Sequence, residues 1–458
     1  MNVSLHIGFD DTDSIAGGCT TYIAALLVEF LGAETFLDYP NLIRLNPNVP
    51  WKTRGNAALS LRVSIDEQHI NDVIEQVIDT VEDHSQLDCP RTDPGIVFLV
   101  GPVPHELTVF ARRTIQDIVS KKEAFDLIRH FGLEAVGFKG SRGIIGALAA
   151  VGETLPCDHT YELIAYRTLD NRGKPRKVDL NSVFKMDKET SGLTFNNVDY
   201  EKKRVLLTPR GPDPILLGVR GETPNTVKNA YHMIDVNETV ERWVIFRTNQ
   251  GTDAHLRKVD KVAQIRPYRP VVATGSVVVA PYNIPGRHVI FVLGDDSGQI
   301  DCAAYEPTGK FKGVVKELIV GDSVEVYGGV RRRSERNPQT INIEKLRATV
   351  LTPLTVLRNP VCCVCGKRMG SMGRGKGFRC KRCGMRVHDV GKVQSELKRG
   401  IGEELYIPPP RANRHLTKPR CRYGIEKTTY EIHIPKDFWG YDGALGADHN
   451  CTNSLRFG

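Results

Sequence analysis

The sequence predicts a multidomain α+β protein with a small metal module near its end, and three observations carry that reading. The chain has 458 residues, too many for one core and enough for about three or four domains. Its pattern changes from mixed strand and helix to short alternating strands after about residue 270, which marks an all-β module. Beyond that lie two Cys-x-x-Cys knuckles, Cys362/Cys365 and Cys380/Cys383. With 40% hydrophobic and 25% charged residues, the composition is that of an ordinary globular protein. No apolar run reaches the roughly 18 residues of a spanning helix, and the start lacks a secretory pattern. A cytoplasmic protein without a membrane partner is expected.

Val3 to Phe9 reads as a buried strand and Thr21 to Leu31 as a helix. Between them Asp10-Asp11-Thr12-Asp13-Ser14 and Ala16-Gly17-Gly18-Cys19-Thr20-Thr21 place three carboxylates and two threonines where strand hands over to helix. Such a charge density suits Mg²⁺ carrying phosphate: Asp10, Asp11 and Asp13 would hold the metal and the helix start would hold phosphate oxygens. An acidic N-cap is the plainer alternative. Strand-like Ala57 to Ile65 and Gly95 to Val100, and helical Ile70 to Val81 and Leu107 to His130, complete a first module. The run Gly137 to Ala147 has two readings, a phosphate-cradling loop with Lys139 and Arg142 as cations, or tight helix–strand packing. Further on, Tyr161 to Tyr166, Val205 to Thr208 and Trp243 to Arg247 read as strands around helical Asn225 to Met233, an α+β layer.

From 271 to about 350, short strand-like stretches at Thr274 to Val279, His288 to Leu293, Asp295 to Tyr305 with its Ser-Gly turn, Ser323 to Gly328 and Thr340 to Ile343, with helical Phe311 to Leu318, follow OB-fold order. OB folds grip single-stranded nucleic acid with a basic groove and stacking aromatics. Tyr305, Phe291 and Tyr327 are candidate stackers, and Arg331, Arg332, Arg333 and Arg336 crowd one turn.

Eleven cysteines occur in the chain, five of them between 362 and 383. Two knuckles about fifteen residues apart match a four-thiolate structural Zn²⁺ site made by Cys362, Cys365, Cys380 and Cys383. Cys363 gives the wrong spacing and is set aside. Lys367, Arg374 and Lys376 stud the same module. Residues 331–458 carry 26 Lys and Arg against 11 Asp and Glu, whereas residues 1–330 carry 36 against 43. An acidic body with a basic arm points to a polyanion, and nucleic acid is the obvious one.

The Asp10-to-Ser14 opening, Cys19-Thr20-Thr21, Asn46-Pro47-Asn48-Val49-Pro50-x-Lys52-Thr53-Arg54-Gly55-Asn56, the OB pattern and the four-cysteine ribbon together resemble the archaeal tRNA(Ile) 2-agmatinylcytidine synthetases over essentially the whole chain. The resemblance implies a kinase-like α/β catalytic domain (1–155), a ferredoxin-like domain (156–262), an OB fold (268–350), a zinc ribbon (358–390) and a basic C-terminal tail (391–458). It implies an ATP-dependent ligase that joins agmatine to C2 of the wobble cytidine of the minor isoleucine tRNA with anticodon CAU. Codon reading then switches from AUG to AUA. Because the C2 oxygen is a poor leaving group, the expected route phosphorylates it, and ATP ends as AMP and two phosphates.

By position Thr20 matches the threonine that is phosphorylated in the family, and Asp10, Asp11 and Asp13 are its catalytic carboxylates. Thr12, Ser14, Lys52, Arg54, Asn56, Lys139 and Arg142 are expected to bind ATP or substrate. Arg331, Arg332, Arg333, Arg336, Lys367, Arg374 and Lys376 are expected to bind tRNA. Asp38 and Asp93 are candidates for the agmatine guanidinium. The cofactors expected are ATP, Mg²⁺ and structural Zn²⁺, and no obligate protein partner is inferred. The rival reading is a non-catalytic single-stranded nucleic-acid-binding factor, which would use the OB fold and ribbon and leave the acidic opening without a purpose.

Overall fold

The computed structural model describes the chain except residues 15, 53–54, 336, 430–434 and 442–458. The first elements are β1 (Asn2–Asp10), α1 (Thr20–Leu31), β2 (Asn41–Arg44), β3 (Ala57–Asp66), α2 (Ile70–His84), β4 (Gly95–Val100), α3 (His105–Gln116), α4 (Lys121–Phe131), β5 (Glu134–Gly137) and α5 (Ile144–Gly152). In α2 the buried residues are Val73, Ile74, Val77 and Val81, the spacing of a helix with one face on a core. The single helical run expected from Leu107 to His130 is two helices. Ser120 starts the second one with a capping box, accepting from the Glu123 N–H while the Glu123 carboxylate accepts from the Ser120 N–H. That reciprocal pair satisfies two otherwise orphaned donors.

Next come β6 (Thr160–Arg167), α6 (Leu180–Glu189), β7 (Val198–Asp199), β8 (Arg204–Val205), β9 (Ile215–Gly221), α7 (Pro224–His232) and β10 (Val240–Thr248). β10 runs parallel to β2 and antiparallel to β6, so one sheet with the order β5-β4-β1-β3-β2-β10-β6-β9 passes through the boundary expected near residue 155. Both neighbours of β1 are antiparallel. The handover at Asp10 therefore arises in an α+β layer rather than in a parallel α/β sheet. Helices α1, α2, α6 and α7 pack on one face of the sheet and α3, α4 and α5 on the other.

The OB module comprises β11 (Arg257–Val259), β12 (Pro270–Ile284), β13 (His288–Asp295), β14 (Gly298–Ala304), α8 (Phe311–Lys316), β15 (Ser323–Arg331) and β16 (Thr340–Val350). β12 pairs with both β13 and β15, which closes the barrel. Phe291 is fully buried among its core residues and so is no stacking platform, whereas Tyr305 and Tyr327 are half-buried. Three short strands, Gly370–Ser371, Phe378–Arg379 and Arg386–Val387, make the ribbon.

The segment beyond the ribbon is not a free basic arm. Leu405–Tyr406 pairs with β16 and Trp439–Gly440 with β10. Leu416 packs among the helices α3, α4 and α5, and Phe438 enters the core beside Phe36 and Tyr39. Arg422 is fully buried against Glu222 at 2.5 Å and Asp158 at 2.7 Å. The basic composition of this segment is partly neutralised by acidic groups of the first sheet, which is why charge counting reads it as an arm.

Candidate active site

A cavity of about 510 Å³ opens where β1, α1, β2, α5, β6, β9 and the C-terminal segment meet. Asp10, Asp11, Asp13, Thr20, Lys52, Asn56 and Arg142 all line it. Sequence positions separated by more than a hundred residues are thus brought to one place.

Asp10 ends β1 and is held against α5. A Cβ on Gly146 would lie 1.9 Å from Asp10 Oδ2, and one on Gly143 would lie 2.5 Å from the Asp10 carbonyl oxygen. Gly8 and Gly95 are equally crowded by α5, where a Cβ would stand 2.2 and 2.1 Å from Ala147 O and Ile144 N. The glycine-rich run from 137 to 147 accordingly works as close packing of helix on strand. Asp11 takes a left-handed backbone, φ 62°, and its N–H donates to Asp10 Oδ1 at 2.7 Å. Arg142 bridges Asp11 at 3.0 Å and Asp93 at 3.5 Å. Lys139 turns away and donates to the Cys89 carbonyl oxygen at 2.7 Å.

Burial, reinforced by Asp11 and Asp13, pushes the Asp10 carboxyl well above the ordinary range. Burial also raises Asp11, to about 6, although Arg142 opposes it. The cluster is thus short of positive charge, the condition a cation relieves. Among the described residues only the four cysteines form a group of three or more side chains close enough to share one ion. The donor set fits a cation held by one or two carboxylates and completed by water and phosphate, the habit of Mg²⁺.

Among the described residues no side chain caps the start of α1, where Cys19, Thr20 and Thr21 face the cavity. Its first N–H groups and the positive end of the helix are aimed at whatever occupies the site. Thr12 is fully buried and donates to Thr20 Oγ1 at 3.0 Å, which leaves it supporting Thr20 from behind the cavity surface. Ser14 donates to the Gly17 carbonyl at 3.3 Å and shapes the same turn. Arg54 lies outside the described residues. Asp38 is buried against Arg247 at 3.0 Å, and neither it nor Asp93 lines the cavity.

Another set of lining residues has no counterpart in the sequence reading: Arg44, Glu162, Arg220 and His415. Glu162 pairs with Arg220 at 2.9 Å and with Arg44 at 3.7 Å. Burial pulls Arg44 down to about 10 despite Glu162 beside it. These residues sit on β2, β6, β9 and the C-terminal segment, and only the sheet order brings them together.

In the ribbon, Sγ atoms of Cys362 and Cys383, and of Cys365 and Cys380, lie 3.4 Å apart, and all four sit within 4.8 Å of one another. A tetrahedral Zn²⁺ with bonds of about 2.3 Å sets sulfurs about 3.8 Å apart, so the four thiols fit a closed structural site. Cys363 is exposed and outside the cluster. Lys367, Arg374 and Lys376 are exposed on the ribbon, and Arg331, Arg332 and Arg333 are exposed on the hairpin between β15 and β16. Arg336 lies outside the described residues.

Comparison with known proteins adds an independent line. Family models match the TiaS TCKD domain over residues 6–140, the TiaS FLD domain over 141–255, an OB-fold nucleic acid binding domain over 271–348 and the TiaS C-terminal zinc ribbon domain over 359–401. TiaS of Pyrococcus horikoshii, a 2-agmatinylcytidine synthetase acting on an isoleucine tRNA, is 44% identical over 91% of this chain and 96% of its own length. A crystal structure of apo TiaS superposes with a TM-score of 0.84 at 39% identity, covering 92% of this chain and 98% of its own. A complex of TiaS with its isoleucine tRNA, AMPCPP and agmatine superposes with a TM-score of 0.80 at 36% identity, covering 94% and 100%. Taken with the cavity and the ribbon, these likenesses establish that the chain belongs to the TiaS family of isoleucine tRNA 2-agmatinylcytidine synthetases.

Proposed function

We propose that this chain ligates agmatine to C2 of the wobble cytidine of the minor isoleucine tRNA, using ATP. The observation that carries the reading is one cavity lined by Asp10, Asp11, Asp13 and Thr20 on one set of elements and by Lys52, Asn56 and Arg142 on others, in a chain whose relative is solved with an isoleucine tRNA, AMPCPP and agmatine. The rival reading, a non-catalytic binding factor, gives no role to that cavity and is not favoured.

In this reading ATP phosphates lie against the uncapped start of α1 and the cations Lys52 and Arg142. Asp10 and Asp11 would hold Mg²⁺, which neutralises phosphate charge when bound. The cytidine O2 takes a phosphoryl group from ATP, whose P–O bond breaks as the remaining nucleotide departs, and becomes a good leaving group. The agmatine amine, once neutral, attacks C2, and the phosphate departs with that oxygen. A carboxylate of the cluster takes the proton the amine must lose. In this reading Thr20, which lines the cavity and accepts from the Thr12 hydroxyl at 3.0 Å, is the hydroxyl that would take a phosphoryl group from ATP. The exposed arginines and lysines of the OB hairpin and the ribbon hold the tRNA backbone, and Zn²⁺ in the four-cysteine site keeps the ribbon folded. No helix among the described residues is long and apolar enough to cross a membrane, and the cell compartment we assign is the cytoplasm, where tRNA is processed.

The test is incorporation of labelled agmatine into the minor isoleucine tRNA with ATP. Incorporation that needs all three substrates is expected. ATP turnover indifferent to tRNA and agmatine would contradict the assignment.

A further inference from the structure

Glu162, Gln250 and His415 form a relay that fixes which face His415 offers to the cavity. Glu162 is paired with Arg220 and Arg44, so its oxygens accept hydrogen bonds. The fully buried amide of Gln250 must therefore turn its nitrogen to Glu162 Oε2, and its Oε1 is left as an acceptor. That oxygen lies 3.0 Å from His415 Nδ1, a position only an N–H can fill. In the neutral ring the proton then sits on Nδ1, and Nε2 keeps a lone pair.

His415 is itself exposed to the open cavity, and the positive charges of Arg44 above all, then Arg220 and Lys52, hold its ring well below its ordinary range, which keeps it neutral at physiological pH. Nε2 and Arg44 share one corner of the site: a Cβ on Gly55 would sit 3.9 Å from His415 Nε2 and 2.3 Å from Arg44 Nη1. Besides the Glu162 carboxylate, which is engaged by Arg220, Arg44 and Gln250, this corner offers His415 Nε2 as an acceptor beside cationic donors. Arg44, Arg220 and Lys52 outnumber that one carboxylate, which disfavours a guanidinium or ammonium group there. A neutral group with one donor beside acceptors fits. The pairing edge of cytosine has that order, an exocyclic amine next to N3 and O2, whereas uracil begins with an acceptor oxygen.

We propose that His415 Nε2 accepts a hydrogen bond from the exocyclic amine of the target cytidine, with Arg44 and Arg220 beside its acceptor edge, so that the relay selects cytosine over uracil. The inference rests on the reading that this cavity modifies cytidine. His415 comes from the segment beyond the ribbon, so that segment supplies part of the recognition surface as well as a latch.

The experiment measures kcat and KM for agmatine incorporation by the full-length wild type, His415→Ala and His415→Gln. Each is assayed on tRNA bearing cytidine or pyrimidin-2-one riboside, which lacks only the amine, at the wobble position. Loss of the amine should lower wild-type kcat/KM by about tenfold, the scale of one hydrogen bond. His415→Ala should lose about the same factor on cytidine and be indifferent to the missing amine. His415→Gln, which keeps an acceptor oxygen, should recover part of the preference. If His415→Ala retains the wild-type preference for cytidine over pyrimidin-2-one, the residue is structural and the proposal is overturned. Absence of incorporation by the wild type would overturn the activity assignment as well, so the two failures are distinguishable.

Discussion

The cavity and the ribbon are both dense in charge, yet their charges are held differently. In the cavity Arg142 is tied to Asp11 and Asp93, and Arg44 and Arg220 share Glu162. On the OB hairpin and the ribbon, Arg331, Arg332, Arg333, Lys367, Arg374 and Lys376 stand exposed. Paired charges withdrawn from water interact strongly and fix geometry, which suits chemistry. Exposed cations are screened and available to phosphates, which suits capture of a polyanion.

The largest effect should come from the ribbon's metal. Structural zinc contributes on the order of 10 kcal/mol to small zinc modules, so Cys380→Ser should unfold the ribbon locally, remove Zn²⁺ and weaken tRNA binding. ATP binding should survive, and elemental analysis with a filter-binding assay checks both halves. In the cavity, Asp11→Asn should lower agmatine incorporation about 10³-fold, the scale for removing one preorganised electrostatic interaction from a buried site. Its tRNA affinity, measured by filter binding, should stay within a few-fold.

Arg422 sharpens the contrast, because it belongs to the basic segment and is held like a cavity charge. Arg422→Ala removes the buried partner of Asp158 and Glu222 and leaves them Lys418 at 3.7 Å and Lys427 at 3.1 Å, and should cost about 1–3 kcal/mol in urea unfolding. Glu344 of the OB barrel is a comparable case. Burial pushes it up, but His255 and Arg414 outweigh that and hold it at about 2. A carboxylate depressed below its unfolded value stabilises above that value, so this contribution, on the order of 3 kcal/mol, should be present above about pH 4.5 and disappear as pH falls toward 2. Unfolding of Glu344→Gln, compared with wild type across that range, should lack this step. The smallest change belongs to the exposed arginines: neutralising Arg331, Arg332 and Arg333 should reduce the slope of log binding against log salt by about 0.7 to 0.9 for each phosphate no longer neutralised.

Much of this was legible locally. The strand before Asp10, the three carboxylates, Thr20 and the cysteine spacing are short-range signals, and each reports the chemistry of neighbouring residues. Ser120 and Glu123 also carried a readable capping signal that would have divided the helical run at 107–130. Arg44, Glu162, Arg220 and His415 carried no such signal, because they meet only through the order β2-β10-β6-β9 and the return of the C-terminal segment. The same limit explains Arg422. Its charge counts as part of a basic arm until Asp158 and Glu222, about two hundred residues or more earlier, are brought against it.

The division of labour between the two charged regions is tested most directly by steady-state kinetics of agmatine incorporation against tRNA concentration at two salt concentrations. Wild type, Asp11→Asn and the variant lacking the charges of Arg331, Arg332 and Arg333 are compared. Asp11→Asn should lower kcat with KM for tRNA nearly unchanged. The arginine variant should raise KM, with a weakened salt dependence, while kcat at saturating tRNA is retained. If both variants moved the same parameter, the separation of chemistry from capture would be contradicted.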